Sequence, residues 1–196
     1  MTLMELQPPE TPHPHRFTRE EYYQMADVGL FEGQRVELIE GEIVDMAPQK
    51  NPHVLGVSRT SRALAKAFGD AFWVRSQAPL HLGAGSEPEP DLAVVPGPME
   101  SYKDHPTTAL LIVEVADTTG RFDRGKKASL YARAGIKDYW IINIQDECVE
   151  VLRDPVKDTH APLGWRYRLV VTVGPPATIA PLAKPEAIIA VADLLP

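Results

Sequence analysis

The strongest constraint in this chain is one carboxylate. Glu114 interrupts the apolar run Leu110-Leu111-Ile112-Val113-Glu114-Val115-Ala116. Nearly continuous apolar runs belong to strands covered on both faces. A charge in such a strand must be paired, hydrogen-bonded or bound to a metal, because an isolated buried charge is very costly. A polar turn over Asp117–Asp123 follows, then a helix predicted over Arg124–Ala134 that carries Lys126 and Lys127. Gly135 stops that helix, and Asp138-Tyr139-Trp140-Ile141-Ile142-Asn143 reads as a second buried strand. Strand, helix and strand in this order place two parallel strands side by side.

The rest of the chain supplies a frame for this unit. Met1–Arg16 holds Pro8, Pro9, Pro12 and Pro14 and is expected to be an extended arm (1–16), leaving one domain over 17–196. Thr18-Arg19-Glu20-Glu21 is a capping box for a short helix to about Ala26. Val36–Ile39 and Ile43–Met46 flank Glu40-Gly41-Glu42, the pattern of a β-hairpin that carries Glu37. After Pro52 a helix is predicted from His53 to about Phe68, closed by Gly69. Val54, Val57, Ser61, Leu64 and Phe68 give its apolar spacing, and Arg59, Arg62 and Lys66 form a basic stripe on another face. That stripe is either a solvated face or a contact for a phosphate backbone.

Phe72–Gln77, Pro79–Leu82, Cys148–Leu152 and Trp165–Val173 read as strands, with a loop over 96–109 and a short strand or turn near Ile188. Pro88 and Pro90 hold their neighbours extended, so Glu87, Glu89 and Asp91 point to one side and Asp91 opens the apolar strand that follows.

Charge and cysteine content exclude several classes. The formal net charge is −7, so no global positive field gathers nucleic acid, although a local basic strip remains compatible with an acidic metal site. Cys148 is the one cysteine, so neither an internal disulfide nor a cysteine-based zinc site is possible within one chain. With no signal-peptide core and no membrane-length apolar run, a cytoplasmic location and no membrane partner are expected. Phosphate-loop, serine-hydrolase and HExxH zinc signatures are absent.

If the strands of Asp91 and Glu114 are antiparallel neighbours, the two acids meet at one edge of the sheet. Two hard oxygen ligands with waters and a substrate phosphate suit Mg²⁺ or Mn²⁺. Lys127 and Tyr131, four apart on a helix, share a face, whereas Lys126 is rotated by about 100°, so only one of the two lysines can point inward. The structural alternatives are an Asp91 that ends a loop, a Glu114 held by an ion pair, a solvent-exposed Lys127 and a Tyr131 that packs. His53, at a helix start, is a cap or surface group on this view.

Pro90-Asp91, Ile112-Val113-Glu114-Val115, Asp123-Arg124-Gly125-Lys126-Lys127 with Tyr131, and Gly135–Trp140 together resemble the Uma-type family, restriction-endonuclease-like members of the PD-(D/E)XK nuclease superfamily. Val36–Glu42 and His53 match its pattern as well, so the resemblance spans about Thr18–Arg153. It implies an α/β (α+β) restriction-endonuclease-like core: a mixed central β-sheet flanked by helices, with extra antiparallel strands at both ends. It further implies a Mg²⁺-dependent endonuclease acting on DNA as a homodimer, with Asp91 and Glu114 as metal ligands, Lys127 as the catalytic lysine and Glu37 as a further acid. His53, Lys126 and Tyr131 would support them. The superfamily's usual lysine, two residues after the second acid, is replaced here by Ala116. Two alternatives therefore stay open: a non-catalytic nucleic-acid-binding or regulatory module, and a structural homo-oligomer joined through Ile188, Ile189, Val191 and Leu194.

Overall fold

The apolar run forms β5 (Leu111–Ala116), whose six residues are all buried. It is central in a computed structural model that describes residues 12–117 and 119–196. The main sheet runs β3 (Phe72–Ser76), β4 (Leu92–Pro96), β5, β6 (Asp138–Asn143), β7 (Cys148–Lys157) and β8 (Trp165–Val173) in that order. β5 and β6 pair in parallel, as the strand–helix–strand reading predicts, and the other pairings are antiparallel. The mixed sheet, its flanking helices and the extra antiparallel strands match the expected architecture.

The period-two alternation of β5 divides its side chains between two cores. Leu111, Val113 and Val115 face α2 (Asn51–Phe68), which buries Gly56, Val57, Thr60, Leu64 and Phe68 on that side. Gly56 permits this approach: a Cβ there would lie 2.9 Å from Val115 Cγ1. The helix starts two residues before the predicted His53, with a proline in its first positions, where the missing N–H costs nothing. Val54, expected inside, is 45% exposed.

The C-terminal segment closes the same face through β9 (Thr178–Ile179) and β10 (Ile189–Ala190). Ile189, Val191 and Leu194 are spent on this core and Ile188 alone of the proposed oligomer residues is exposed, at 66%. That observation removes the sequence argument for an oligomer joined through this stretch.

Ile112, Glu114 and Ala116 face the opposite layer, built by α3 (Gly120–Phe122), a π-helical turn (Asp123–Lys127) and α4 (Ala128–Arg133). The helical segment thus begins at Gly120, earlier than the predicted Arg124.

The remaining elements lie against the end of the sheet. α1 (Arg19–Asp27) carries the predicted capping box: Glu21 N–H donates to Thr18 Oγ1 at 3.2 Å and Thr18 N–H to the Glu21 carboxylate at 2.8 Å. β1 (Val36–Ile39) and β2 (Glu42–Asp45) form the expected hairpin, outside the main sheet. Pro79–Leu82, read as a strand, is irregular. Leu80 and Leu82 donate to the carbonyls of Pro88 and Ser86, whereas His81 donates to Pro106 on another segment. Pro79, Pro88 and Pro90 offer no N–H, so a continuous ladder cannot form. Of the expected N-terminal arm, residues 1–11 lie outside the described residues, and 12–18 form irregular chain.

Gly41 locks the hairpin tip in place. Its φ is +73°, a Cβ would fall 2.7 Å from Arg16 Cβ and 3.0 Å from Arg16 Cα, and its N–H donates to Gly85 O at 2.8 Å. Gly41→Ala is expected to destabilise the protein by at least about 2 kcal/mol, from left-handed backbone strain plus a backbone clash. Urea unfolding of the two proteins measures it.

Candidate functional site

Register brings the two acids together. Leu92 pairs with Val113, so Asp91, one residue before β4, lies opposite Glu114. The strand ends are stitched reciprocally: Val115 N–H donates to Asp91 Oδ2 at 2.8 Å and Asp91 N–H reaches Glu114 Oε2 at 3.3 Å. From the opposing layer, Lys127 Nζ donates to Glu114 Oε1 at 2.9 Å and to Glu37 Oε1 at 3.1 Å. Tyr131 O–H donates to the same Glu114 Oε1 at 2.7 Å. The β1–β2 hairpin therefore delivers Glu37 to a cluster whose other members come from the sheet and the helical layer. Lys126 points the other way and pairs with Glu42 at the surface, as the helical rotation requires.

The chain around Lys127 is π-helical. Such turns hold an extra residue and occur often at functional sites. Here both Lys127 and Tyr131 reach Glu114, and Asp123, at the start of the turn, is also buried. Asp123 accepts from Thr119 Oγ1 at 2.6 Å and its carbonyl accepts from Tyr139 O–H at 3.1 Å. Asp123, four residues before Lys127, belongs to the motif quoted from the sequence but was not among the expected site residues.

His53 is no surface cap. It sits in the first turn of α2, half-buried, and its Nδ1 donates to Val115 O at 2.9 Å. Its Nε2 lies 3.0 Å from Asp91 Oδ1, an ion-pair distance, but off the line of a good hydrogen bond. Glu87 leaves the expected row of acids: it is buried with Arg19, Tyr23 and His81, while Glu89 and Asp91 line the pocket. The pocket itself has a volume of about 60 Å³, bounded by the acids, Lys127 and His53 and by Arg35 and the 46–50 loop. It has room for waters, a small ion and a phosphoryl oxygen. Arg59, Arg62 and Lys66 do not approach it. They lie on a separate groove beside Glu186 and Ile188, and Arg59 holds the carbonyl of Leu195 at 2.8 Å.

Acid exceeds base in this cluster. Burial opposes the Lys127 ammonium, but Glu114, Glu37 and Asp123 outweigh it and hold its pKa above the usual value. Burial drives Glu114 the other way from an ordinary carboxylate. With Asp91, Asp123 and Glu37 nearby it overcomes the lowering by Lys127, and the pKa rises to about 8. Burial likewise raises Asp123 and Glu89. At His53 burial disfavours the imidazolium, but Asp91 more than offsets it and the pKa is raised. One ammonium therefore faces more carboxylate than it can balance, and Glu114, Asp123 and Glu89 are displaced toward their protonated forms.

A divalent cation fits this donor set. Asp91 and Glu114 each present one oxygen with only long or misaligned partners, and Glu37 Oε2 is buried with no hydrogen-bond partner. Among the described residues no three His, Cys, Asp or Glu side chains form a preassembled cage. Two carboxylates with several retained waters is the usual arrangement for Mg²⁺.

Comparison with known proteins gives a consistent picture. A family model described as "Putative restriction endonuclease" matches residues 19–192. The fold is similar to a crystal structure of "a putative nuclease belonging to DUF820" from Anabaena variabilis ATCC 29413, at 14% identity and a TM-score of 0.69. That likeness covers 91% of this chain and 97% of the other. No curated protein matches the chain.

Raised pKa values mean that the folded state binds more protons than the unfolded state above the ordinary carboxylate range. Their stabilising contribution is present below that range and is lost as pH rises through the folded values. The metal-free protein is thus expected to be less stable at pH 8 than at pH 5, and Glu114→Gln to flatten the decline. Urea melts at the two pH values in EDTA test this; stability that rises with pH would contradict it.

Proposed function

The chain belongs to the Uma2 family, whose model matches residues 19–192, and on that premise we propose that it is a Mg²⁺-dependent endonuclease hydrolysing DNA phosphodiester bonds. The observation that carries the proposal is Lys127 Nζ buried between Glu37 and Glu114, beside Asp91, on the floor of an acid-rich pocket. Asp91 and Glu114 would hold the cation, which supplies the charge that polarises the scissile phosphoryl group.

Lys127 would orient the attacking water and offset negative charge as it develops. Glu37 holds the lysine from the far side, and Tyr131 fixes the Glu114 carboxylate through Oε1, leaving Oε2 toward Asp91. The His53 bond to Val115 O steadies the end of β5. Cutting both strands of a duplex would engage two copies, the simplest arrangement being a homodimer.

One observation favours a second reading, a non-catalytic nucleic-acid-binding module. The superfamily's usual lysine position is Ala116, which is buried at 3% exposure, and Lys127 has two carboxylate partners that could make it purely structural. Metal-independent DNA binding without cleavage would select that reading.

Two measurements test the proposal. Calorimetric titration with Mn²⁺ should show binding by the wild type and none by Asp91→Asn. Nicking of supercoiled plasmid in Mg²⁺ should fall by about 10²–10³ in Lys127→Gln, the scale for losing one preorganised charge-stabilising group, and stay within a few-fold in Lys126→Ala. Equal cleavage by wild type and Lys127→Gln would sink the role assigned to the lysine. Circular dichroism and thermal melts separate this from misfolding.

A further inference from the structure

The mouth of the acidic pocket carries two exposed cations that form no ion pair among the described residues. Arg35, immediately before β1, and Lys50, at the cap of α2, both line the pocket and are exposed. Neither has an ion-pair partner among the described residues. The neighbouring cations behave differently: Arg124 pairs with Glu150, Lys126 with Glu42 and Arg133 with Glu40. Met46 N–H donates to Arg35 O at 2.8 Å, so the base of the hairpin and the 46–50 loop hold the two cations on one rim.

An acidic floor beneath a cationic rim is complementary to a phosphodiester, with its anionic oxygens at the rim and the reacting phosphorus over the acids. The geometry points to Arg35 and Lys50 as the positioning residues that hold the nucleic-acid backbone across the pocket, an inference that rests on the nuclease reading above. Contacts at such a rim are to phosphate, which fix the position of the backbone and carry no sequence information.

The basic stripe of α2 does not share this task. Arg59 lies about 12 Å and Lys66 about 22 Å along the helix from Asn51, at 1.5 Å per residue. It borders a different groove, and Arg59 is committed to the C-terminal carbonyl of Leu195.

Fluorescence anisotropy with a short labelled DNA duplex in EDTA tests the inference without cleavage or metal. Arg35→Ala with Lys50→Ala is expected to weaken binding at least about tenfold at low salt. It should also reduce the slope of log affinity against log salt by about two, each phosphate contact contributing about 0.9. Lys50→Ala alone, at an exposed cap, should lower the slope by about one, and Arg35→Lys should restore most of the affinity. Arg62→Ala with Lys66→Ala should stay within about twofold of wild type.

The inference is overturned if the rim pair binds like wild type, if the α2 pair weakens binding as much, or if the wild type does not bind the duplex. The metal site is judged separately. A rim effect without Asp91-dependent Mn²⁺ binding would remove the metal reading and leave the rim standing, and Mn²⁺ binding without a rim effect would do the reverse.

Discussion

The ammonium of Lys127 is the interaction on which the site and much of its frame depend. It is 1% exposed, and a charge so placed is tolerable only with close partners. Glu114 is presented by a strand and Glu37 by a hairpin that shares no ladder with that strand. The ion pairs therefore tie the hairpin to the sheet as well as building the pocket. Arg133–Glu40 and Lys126–Glu42 repeat the tie at the surface, where such pairs contribute little individually. The buried contact fixes the hairpin's depth, and the left-handed Gly41 allows its tip to close against Arg16 and Gly85.

Excess acid leaves this arrangement with more negative charge than its one buried lysine balances, which suits it to a cationic ligand. A buried pair that served stability alone would be close to neutral, since each uncompensated carboxylate adds desolvation cost. Here Asp91, Glu37, Glu114 and Asp123 surround one lysine and a histidine. Retained protons offset the imbalance in the free protein, and a divalent cation would replace them. Proton release and metal binding are then two sides of one equilibrium.

Much of this was legible in the sequence, for identifiable reasons. A carboxylate in an apolar strand and an aspartate opening another carry a strong signal, because neither is stable there without a partner, and the register of β4 and β5 brought them together. Helical rotation showed that only one of Lys126 and Lys127 could point inward, and the family resemblance, not the angle, favoured Lys127. The π turn was not legible: it is a local excess of one residue with no composition of its own, and it buried Asp123 as well. For His53 the cap-or-surface reading fails, because its partner, Val115 O, is a backbone atom sixty-two positions away that local sequence does not reveal. Pro79–Leu82 resembled a strand by composition, but its prolines deny it a ladder. Ile189, Val191 and Leu194 resembled a partner surface because apolarity alone cannot distinguish a neighbour from the chain's own core.

Placing Lys127 in the helical layer opposite β5 has a structural consequence. On β5, position 116 shares a face with Glu114 but lies about 6.8 Å along the strand, and the side chain there is Ala116, packed near Ala128. Placed at 127, the lysine descends onto Glu114 from the opposing layer and meets Glu37 on the same approach. Lys127 thus joins the strand, the helical layer and the hairpin at one point. The cost is that the position of the charge now depends on how the hairpin, π turn and sheet pack together, whereas a strand lysine would inherit its position from the sheet alone.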